Sequence, residues 1–312
     1  MNSFLRSLSP TQQVALLFFV IFGLLTILSV AAFLMAFREE SQVKNFRKLL
    51  RTSWVMVAVF WMAWAAGTTF AQILFALISF FALREFITLS PTRRGDHRSL
   101  VLAFFVVLPI QFWLVATRHF DLFTVFIPVY VFLAVPVASA LGGDTKRFLE
   151  RNAKLQWGIM VCIYGLSHVP ALLLLGSPFL VFFLVFVVQT CMVVQHLLTR
   201  HLDRKPSIPA VSSSFNWYSW LLGMILGSFV GGLLSFITPF RPGQALALAF
   251  IACVAGSMGH LVMKALKRDR GVTAWGHGDR SVTGAGGLLD RVDSLCFAAP
   301  IFFHSVRWYF GQ

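Results

Sequence analysis

The sequence predicts an all-α, polytopic integral membrane protein of about ten transmembrane helices with both termini outside. Three observations carry that prediction. Of the 312 residues, 58% are hydrophobic, only 12% are charged and 34 are phenylalanine; a soluble domain carries roughly a quarter charged residues. The apolar residues fall in runs close to the roughly 20 residues that a helix needs to cross a bilayer core about 30 Å thick. The basic residues collect in every second connection between those runs. Mean hydropathy is +0.78. This composition excludes a cytosolic enzyme, a disulfide scaffold and a disordered tail protein. The net charge of +14 points to anionic lipid heads at a membrane face rather than to nucleic acid. Cys162, Cys191, Cys253 and Cys296 lie in apolar runs without metal or disulfide spacing, so they read as small hydrophobes.

The first run, Val14 to Phe37, is too long for the core of a cleavable signal peptide, and no A-x-A-like site ends it. It reads as a retained helix placed before the main domain, giving a boundary of 1–43 for the extra helix and its basic loop and 44–312 for the rest. The stretch from Trp54 to Leu83 is too long for one ordinary span and holds Gly67-Thr68-Thr69 in its middle, so it reads as two short helices joined by a turn. Seven further runs follow: Leu100 to Thr117, Leu122 to Leu141, Leu155 to Leu175, Pro178 to Leu198, Trp217 to Thr238, Ala245 to Met263 and Leu295 to Phe310.

Loop charges support the split. Connections 38–53, 84–99, 142–154, 199–216 and 264–294 hold 22 of the 26 Lys and Arg residues. By the positive-inside rule these loops are cytoplasmic. Eleven of the twelve acidic residues share that face, Asp121 being the exception, so nearly all the ionic chemistry lies at one surface. Within the spans, His168 beside Pro170 reads either as helix packing or as part of a polar cavity, and His196 with Gln189 and Gln195 lies nearer the interface. Gly223, Gly227, Gly231 and Gly232 place small residues at four-residue spacing, which favours close helix packing within the chain or between subunits.

The richest chemistry lies near the C-terminus, in Lys267-Arg268-Asp269-Arg270-Gly271-Val272 and then Gly284-Ala285-Gly286-Gly287-Leu288-Leu289-Asp290-Arg291-Val292-Asp293-Ser294. Basic residues beside glycines cradle phosphates, because glycine lets the backbone approach and exposes N–H donors. Asp290 and Asp293, three apart at a helix start, present carboxylates on one face. Such a pair suits a divalent cation bridging to phosphates, or else caps the helix against its N-terminal dipole.

This stretch resembles the C-terminal pattern of the CDP-diacylglycerol synthases (phosphatidate cytidylyltransferases): a Lys-Arg pair, a Gly, a Lys-Asp, then P-G-H-G-G, an aliphatic pair and D-R-x-D-S. Gly286-Gly287-Leu288-Leu289-Asp290-Arg291-Val292-Asp293-Ser294 matches its most specific part. The resemblance runs over roughly residues 44–312 and includes Arg84-Glu85-Phe86 at a helix end. It implies a bacterial inner-membrane protein of phospholipid biosynthesis whose site faces the cytoplasm. In that family a phosphatidate oxygen attacks the α-phosphorus of CTP, giving CDP-diacylglycerol and pyrophosphate. Carried over, the resemblance implies catalytic roles for Asp290, Asp293 and Arg291, with Mg²⁺ on Asp290 and Asp293. It implies phosphate contacts from Lys267, Arg268, Gly286 and Gly287. CTP, phosphatidate and the membrane are the implied partners, nucleic acid is not among them, and a homodimer follows by family analogy.

The chain departs from the pattern at defined places. The family Lys-Asp is Thr273-Ala274, and P-G-H-G-G reads Thr283-Gly284-Ala285-Gly286-Gly287. An expansion between the two halves brings in His277 and Asp279, and Gly259 is followed by His260 where the family places an Asp. The family's S-P-x-K-T-x-E-G loop aligns with Ser212-Ser213-Ser214-Phe215-Asn216-Trp217-Tyr218-Ser219, so its lysine is Phe215 and its glutamate Tyr218. The family's intramembrane Asp of the preceding helix aligns near Met192, where this chain has no carboxylate. Loss of one preorganised charge partner costs about 100- to 1,000-fold in rate. The expectation is therefore weakened or absent turnover, with a non-catalytic phospholipid-binding or regulating paralogue as the alternative. His260, His277 and Asp279 are the residues available as replacement ligands.

Overall fold

The computed structural model describes residues 66–310 except 90–92, 176, 178, 202–204, 273, 274 and 276–286, together with scattered positions between residues 12 and 62. The chain divides into two compact units, Met1–Ala71 and Gln72–Gln312. In the first, Gln12 to Val30 and Trp54 to Met62 are helical at every described position. The Trp54 indole donates to Ser29 Oγ at 3.0 Å and meets Phe22 edge-on at 5.2 Å. The two expected segments of this region thus pack together.

The split of the long apolar stretch is found where the glycine signalled it. Gly67 has φ +88°, a left-handed turn that favours glycine, and a new helix, α1 (Thr68–Thr88), starts immediately after it. Seven further helices follow: α2 (Arg94–Ala116), α3 (Phe120–Ala140), α4 (Phe148–Leu173), α5 (Phe179–His201), α6 (Trp217–Ile237), α7 (Pro242–Asp269) and α8 (Leu289–Phe310). No strand occurs among the described residues. Seven of these eight helices are long and apolar enough to cross a membrane. The eighth, α8, carries Asp290, Arg291, Asp293 and Arg307. Several helices outrun their apolar stretches: α1 continues through Arg84-Glu85-Phe86, α4 starts at Phe148 and α8 at Leu289. Hydropathy finds the part of a helix that meets lipid, whereas the hydrogen-bonded ladder continues into the polar interface.

Wide π turns interrupt α2 at Ala103–Val107, α3 at Phe126–Val131 and α4 at Ile159–Gly165. Pro109 and Pro128 lie in or beside the first two, as expected where a proline removes a backbone donor. The glycines of α6 mark close helix contacts. A Cβ at Gly231 would lie 2.2 Å from that of Ala249, and one at Gly227 would lie 2.7 Å from Cys253 Sγ. The glycine stripe therefore brings α6 onto α5 and α7 within the chain, while at Gly232 a Cβ would meet Leu246 of α7 only at an ordinary 3.7 Å. All four cysteines are buried and free.

His168 resolves as packing. It is fully buried, its Nδ1 lies 2.7 Å from the Tyr164 carbonyl of its own helix, and its ring is caged by Phe123, Tyr164 and Phe303.

Contacts between connections show which ends of the helices meet. The 93–97 turn is clasped to the 141–151 connection: Arg151 Nε donates to Asp96 Oδ1 at 2.7 Å and Nη1 lies 2.9 Å from Asp144 Oδ2. Arg98 donates to the Leu141 carbonyl at 2.6 Å. Glu85 at the end of α1 reaches the start of α8, and Lys264 on α7 reaches the loop before α6. In the opposite halves of their helices, Arg307 pairs with Asp121 and Gln244 donates to Tyr309. The basic connections of this unit thus meet through their own contacts.

Candidate functional site

The last turns of α7 carry the site. Ser257, His260, Lys264 and Lys267 follow at spacings of three, four and three, so they share one face of a 3.6-residue helix. Gly259 is needed beside them, because a Cβ there would lie 2.3 Å from the Phe297 ring of α8. That close contact sets the start of α8 against the end of α7, and each acid of α8 then finds a base on α7. Lys267 Nζ donates to Asp290 Oδ1 at 2.5 Å, and His260 Nδ1 lies 2.7 Å from Asp293 Oδ2.

The remaining oxygens of the two acids are also engaged. Asp290 Oδ2 accepts the Trp275 amide at 2.8 Å, and Asp293 Oδ1 accepts the Ser294 amide at 2.6 Å. Asp293 is 3% exposed and Lys267 9%, so the Lys267–Asp290 ion pair lies where charge interactions are weakly screened. Neither aspartate takes the capping role weighed for it. Glu85 caps α8 instead, its two oxygens accepting the Leu288 and Leu289 amides at 2.8 Å each. A carboxylate suits that place, since the first amides of a helix lack partners and carry the positive end of its dipole. Gly287 makes the approach possible, because a Cβ there would lie 2.3 Å from the Trp275 carbonyl and 2.5 Å from Glu85 Oε2. Trp275 is buried and stacks on Phe86 at 5.5 Å, tying the loop after α7 to the end of α1.

The loop before α6 forms the opposite wall. Asn216 caps α6 by accepting the Tyr218 and Ser219 amides, and the Ser207 amide donates to the Phe215 carbonyl at 2.8 Å. Phe215 is buried and meets Trp217 edge-on at 5.0 Å, so the position that aligns with a lysine is a packing residue here. Two adjoining hollows open between this loop and α7. One, of about 80 Å³, is lined in part by Gln195, His196, Phe215, Trp220, His260 and Lys264. The other, of about 180 Å³, is lined by Val211, Ser212, Ser213, Ser214, Lys264, Lys267, Arg268 and Val272.

The structure thus brings Lys267, Arg268, Asp290, Asp293 and Gly287 into one neighbourhood, with Arg291 on the same first turns of α8. Gly286, His277 and Asp279 lie outside the described residues, as do Thr273, Ala274 and Ala285. Glu85, Trp275, Lys264 and the hydroxyls of Ser212 and Ser214 are site components that sequence reading did not assign. Glu85 had one signal, its place in the Arg84-Glu85-Phe86 helix end; Lys264 had another, the 3–4–3 spacing on α7.

As arranged, the donor set does not fit a divalent cation between the two aspartates. All four of their oxygens accept from the chain's own donors, and the Lys267 ammonium stands against Asp290 where a cation would be. Among the described residues no three of His, Cys, Asp and Glu converge to hold a metal ion. A cation at Asp290 requires Lys267 to leave it.

The chain is similar to known proteins over most of its length. Residues 47–309 match the sequence model of a family described as the Cytidylyltransferase family. A relative in Escherichia coli (strain K12), the uncharacterized protein YnbB, is 33% identical over 267 residues, covering 83% of this chain and 86% of YnbB.

Proposed function

The chain belongs to the cytidylyltransferase family, and from that premise we propose that it is a CDP-diacylglycerol synthase-like membrane protein that binds the phosphate headgroup of phosphatidate and transfers the cytidylyl group of CTP to it poorly. In this reading it is a multi-pass protein of the bacterial inner membrane acting in phospholipid biosynthesis. About ten spans leave both termini outside and the site on the cytoplasmic side. Residues 44–312 form the cytidylyltransferase-like domain, and 1–43 precede it.

The observation that carries the reading is the pairing of Lys267 with Asp290 beside a hollow rich in cations and hydroxyls. In the transfer, a phosphatidate oxygen forms a bond to the α-phosphorus of CTP as the bond to pyrophosphate breaks. This chain's part would be electrostatic: Lys267 and Arg268 against the phosphates, and Arg291 orienting the acids. Lys267 does less of that work while it neutralises Asp290, and Phe215 supplies bulk where the family pattern has a cation. The phosphate-holding half of the site stays well furnished, which favours the second reading, a non-catalytic phospholipid-binding paralogue, as the limit of the first.

Turnover tests both. With CTP, phosphatidate and Mg²⁺, the full-length protein in detergent micelles should form CDP-diacylglycerol at least about 100-fold more slowly than an intact family member. Turnover equal to that enzyme's, and abolished in Asp290→Asn, refutes the proposal and makes the protein an ordinary CDP-diacylglycerol synthase with Mg²⁺ on Asp290 and Asp293. Cross-linking in the same preparation tests the homodimer.

A further inference from the structure

Ser212, Ser213 and Ser214 bring three consecutive hydroxyls to the loop before α6, facing the end of α7 across the 180 Å³ hollow. Lys264 bridges the two walls: its Nζ donates to Ser212 Oγ and Ser214 Oγ, both at 3.3 Å. Its neighbour on the helix, Lys267, spends its charge on Asp290. Among the described residues neither Lys264 nor Arg268 takes part in an ion pair. The hollow is therefore lined by two cations that no carboxylate contacts directly among the described residues, and by hydroxyls that turn from acceptor to donor by rotating one bond. A lysine offers a compact point charge and an arginine a planar fork of donors, a pairing suited to tetrahedral oxyanions.

From this we infer that Lys264, Ser212, Ser214 and Arg268 form a phosphate-binding site that works without a divalent cation. The inference rests on the proposed binding of phosphate headgroups and adds a residue, Lys264, and a mode of neutralisation to it. In a site where aspartates gather a metal ion, the ion offsets the charge of the phosphate. Here Lys267 closes Asp290, so the offset falls to Lys264 and Arg268. On arrival of a phosphate group, the ammonium of Lys264 keeps its place and exchanges its serine oxygens for phosphate oxygens. The two hydroxyls then donate to the same anion, so each polar group that loses a partner gains another.

The test uses the full-length protein in detergent micelles, with two probes, inorganic phosphate and short-chain phosphatidate, each titrated in EDTA and in Mg²⁺. Binding is expected in EDTA, with Kd changing by less than about threefold when Mg²⁺ is added. Lys264→Met should weaken binding by about tenfold or more, the loss of a charge-assisted contact, and Lys264→Arg should recover most of it. Ser214→Ala, which leaves the charge in place, should give a smaller loss and serves as the second variant if Lys264→Met misfolds. Binding of both probes identifies any phosphate group as the ligand; binding of phosphatidate alone identifies the lipid headgroup. Binding that appears only with Mg²⁺, or that Lys264→Met and Ser214→Ala leave unchanged, overturns the inference. Fast cytidylyl transfer would overturn the proposed function separately, since it leaves the EDTA titration to be read on its own.

Discussion

The Lys267–Asp290 pair is open to a double-mutant cycle. At 2.5 Å between Nζ and Oδ1, with side chains 11% and 19% exposed, the gross attraction at an effective dielectric of about 20 is about 7 kcal/mol. Desolvation of both ions offsets much of that, and the expected coupling is about 2 kcal/mol. Asp290→Asn leaves an ammonium without its counter-charge at a buried place and should cost about 3 kcal/mol. Lys267→Met leaves Asp290 with the Trp275 amide as its remaining donor and should cost about 2 kcal/mol. Changing both residues removes the uncompensated charge, so the loss should fall about 2 kcal/mol short of the sum. For a chain of this size 1 kcal/mol corresponds to roughly 2–4 °C in Tm. Thermal unfolding in detergent, followed by tryptophan fluorescence, reads all four proteins. A double variant whose Tm falls by the full sum of the single losses refutes the coupling, and with it the view that Lys267 stands in for a cation on Asp290.

Two other perturbations bear on the frame around that pair. Glu85→Gln keeps one acceptor for the α8 amides but sets an amide N–H against the other, and should cost about 2 kcal/mol, read as a lower Tm; an unchanged Tm shows that Glu85 does not hold α8. Asp144 accepts the Lys146 amide at 3.1 Å, and that bond, with Arg151 and Arg93 nearby, holds its carboxyl below the ordinary 3.8. A depressed carboxyl stabilises the fold above its unfolded value and loses that contribution as pH falls through the folded one. Asp144→Asn should therefore flatten the fall of Tm below about pH 4, and a slope identical to the parent's overturns the assignment.

The apolar runs made the spans legible because lipid demands a continuous, uncharged helix face. Gly67 marked the break in the Trp54–Leu83 stretch because only a residue without a Cβ turns there at little cost. What the runs did not mark was where each helix ends in polar surroundings. The starts of α4 and α8 lie among Arg151, Asn152, Asp290 and Asp293, and hydropathy is silent on such turns. The site divides in the same way. Spacing alone placed Asp290 and Asp293 on one face, and the basic residues of the preceding helix were visible as charge. Glu85 was out of reach of local reasoning, since its partners lie 203 and 204 positions away. Lys264 lies in the basic 264–294 connection by charge alone, although its place four residues after His260 and three before Lys267 sets it on their face.

On the proposed reading, the pairing of bases with acids across α7 and α8 means that lost carboxylates should change the kind of ligand rather than merely its affinity. A site that keeps its cations while its acids are few or internally matched changes the sign of its uncompensated charge. Asp290 faces Lys267, and Asp293 faces His260; no acid faces Lys264 or Arg268 among the described ion pairs. Uncompensated positive charge next to serine hydroxyls attracts an anion directly, and it repels the divalent ion that two open aspartates would have gathered. Phe215 acts in the same direction by filling the loop with a ring that packs on Trp217. A single substitution such as Phe215→Lys would then add to the positive charge without freeing Asp290. Opening the acids to a cation requires Lys267 to be replaced as well, which makes the two changes coupled rather than additive for turnover.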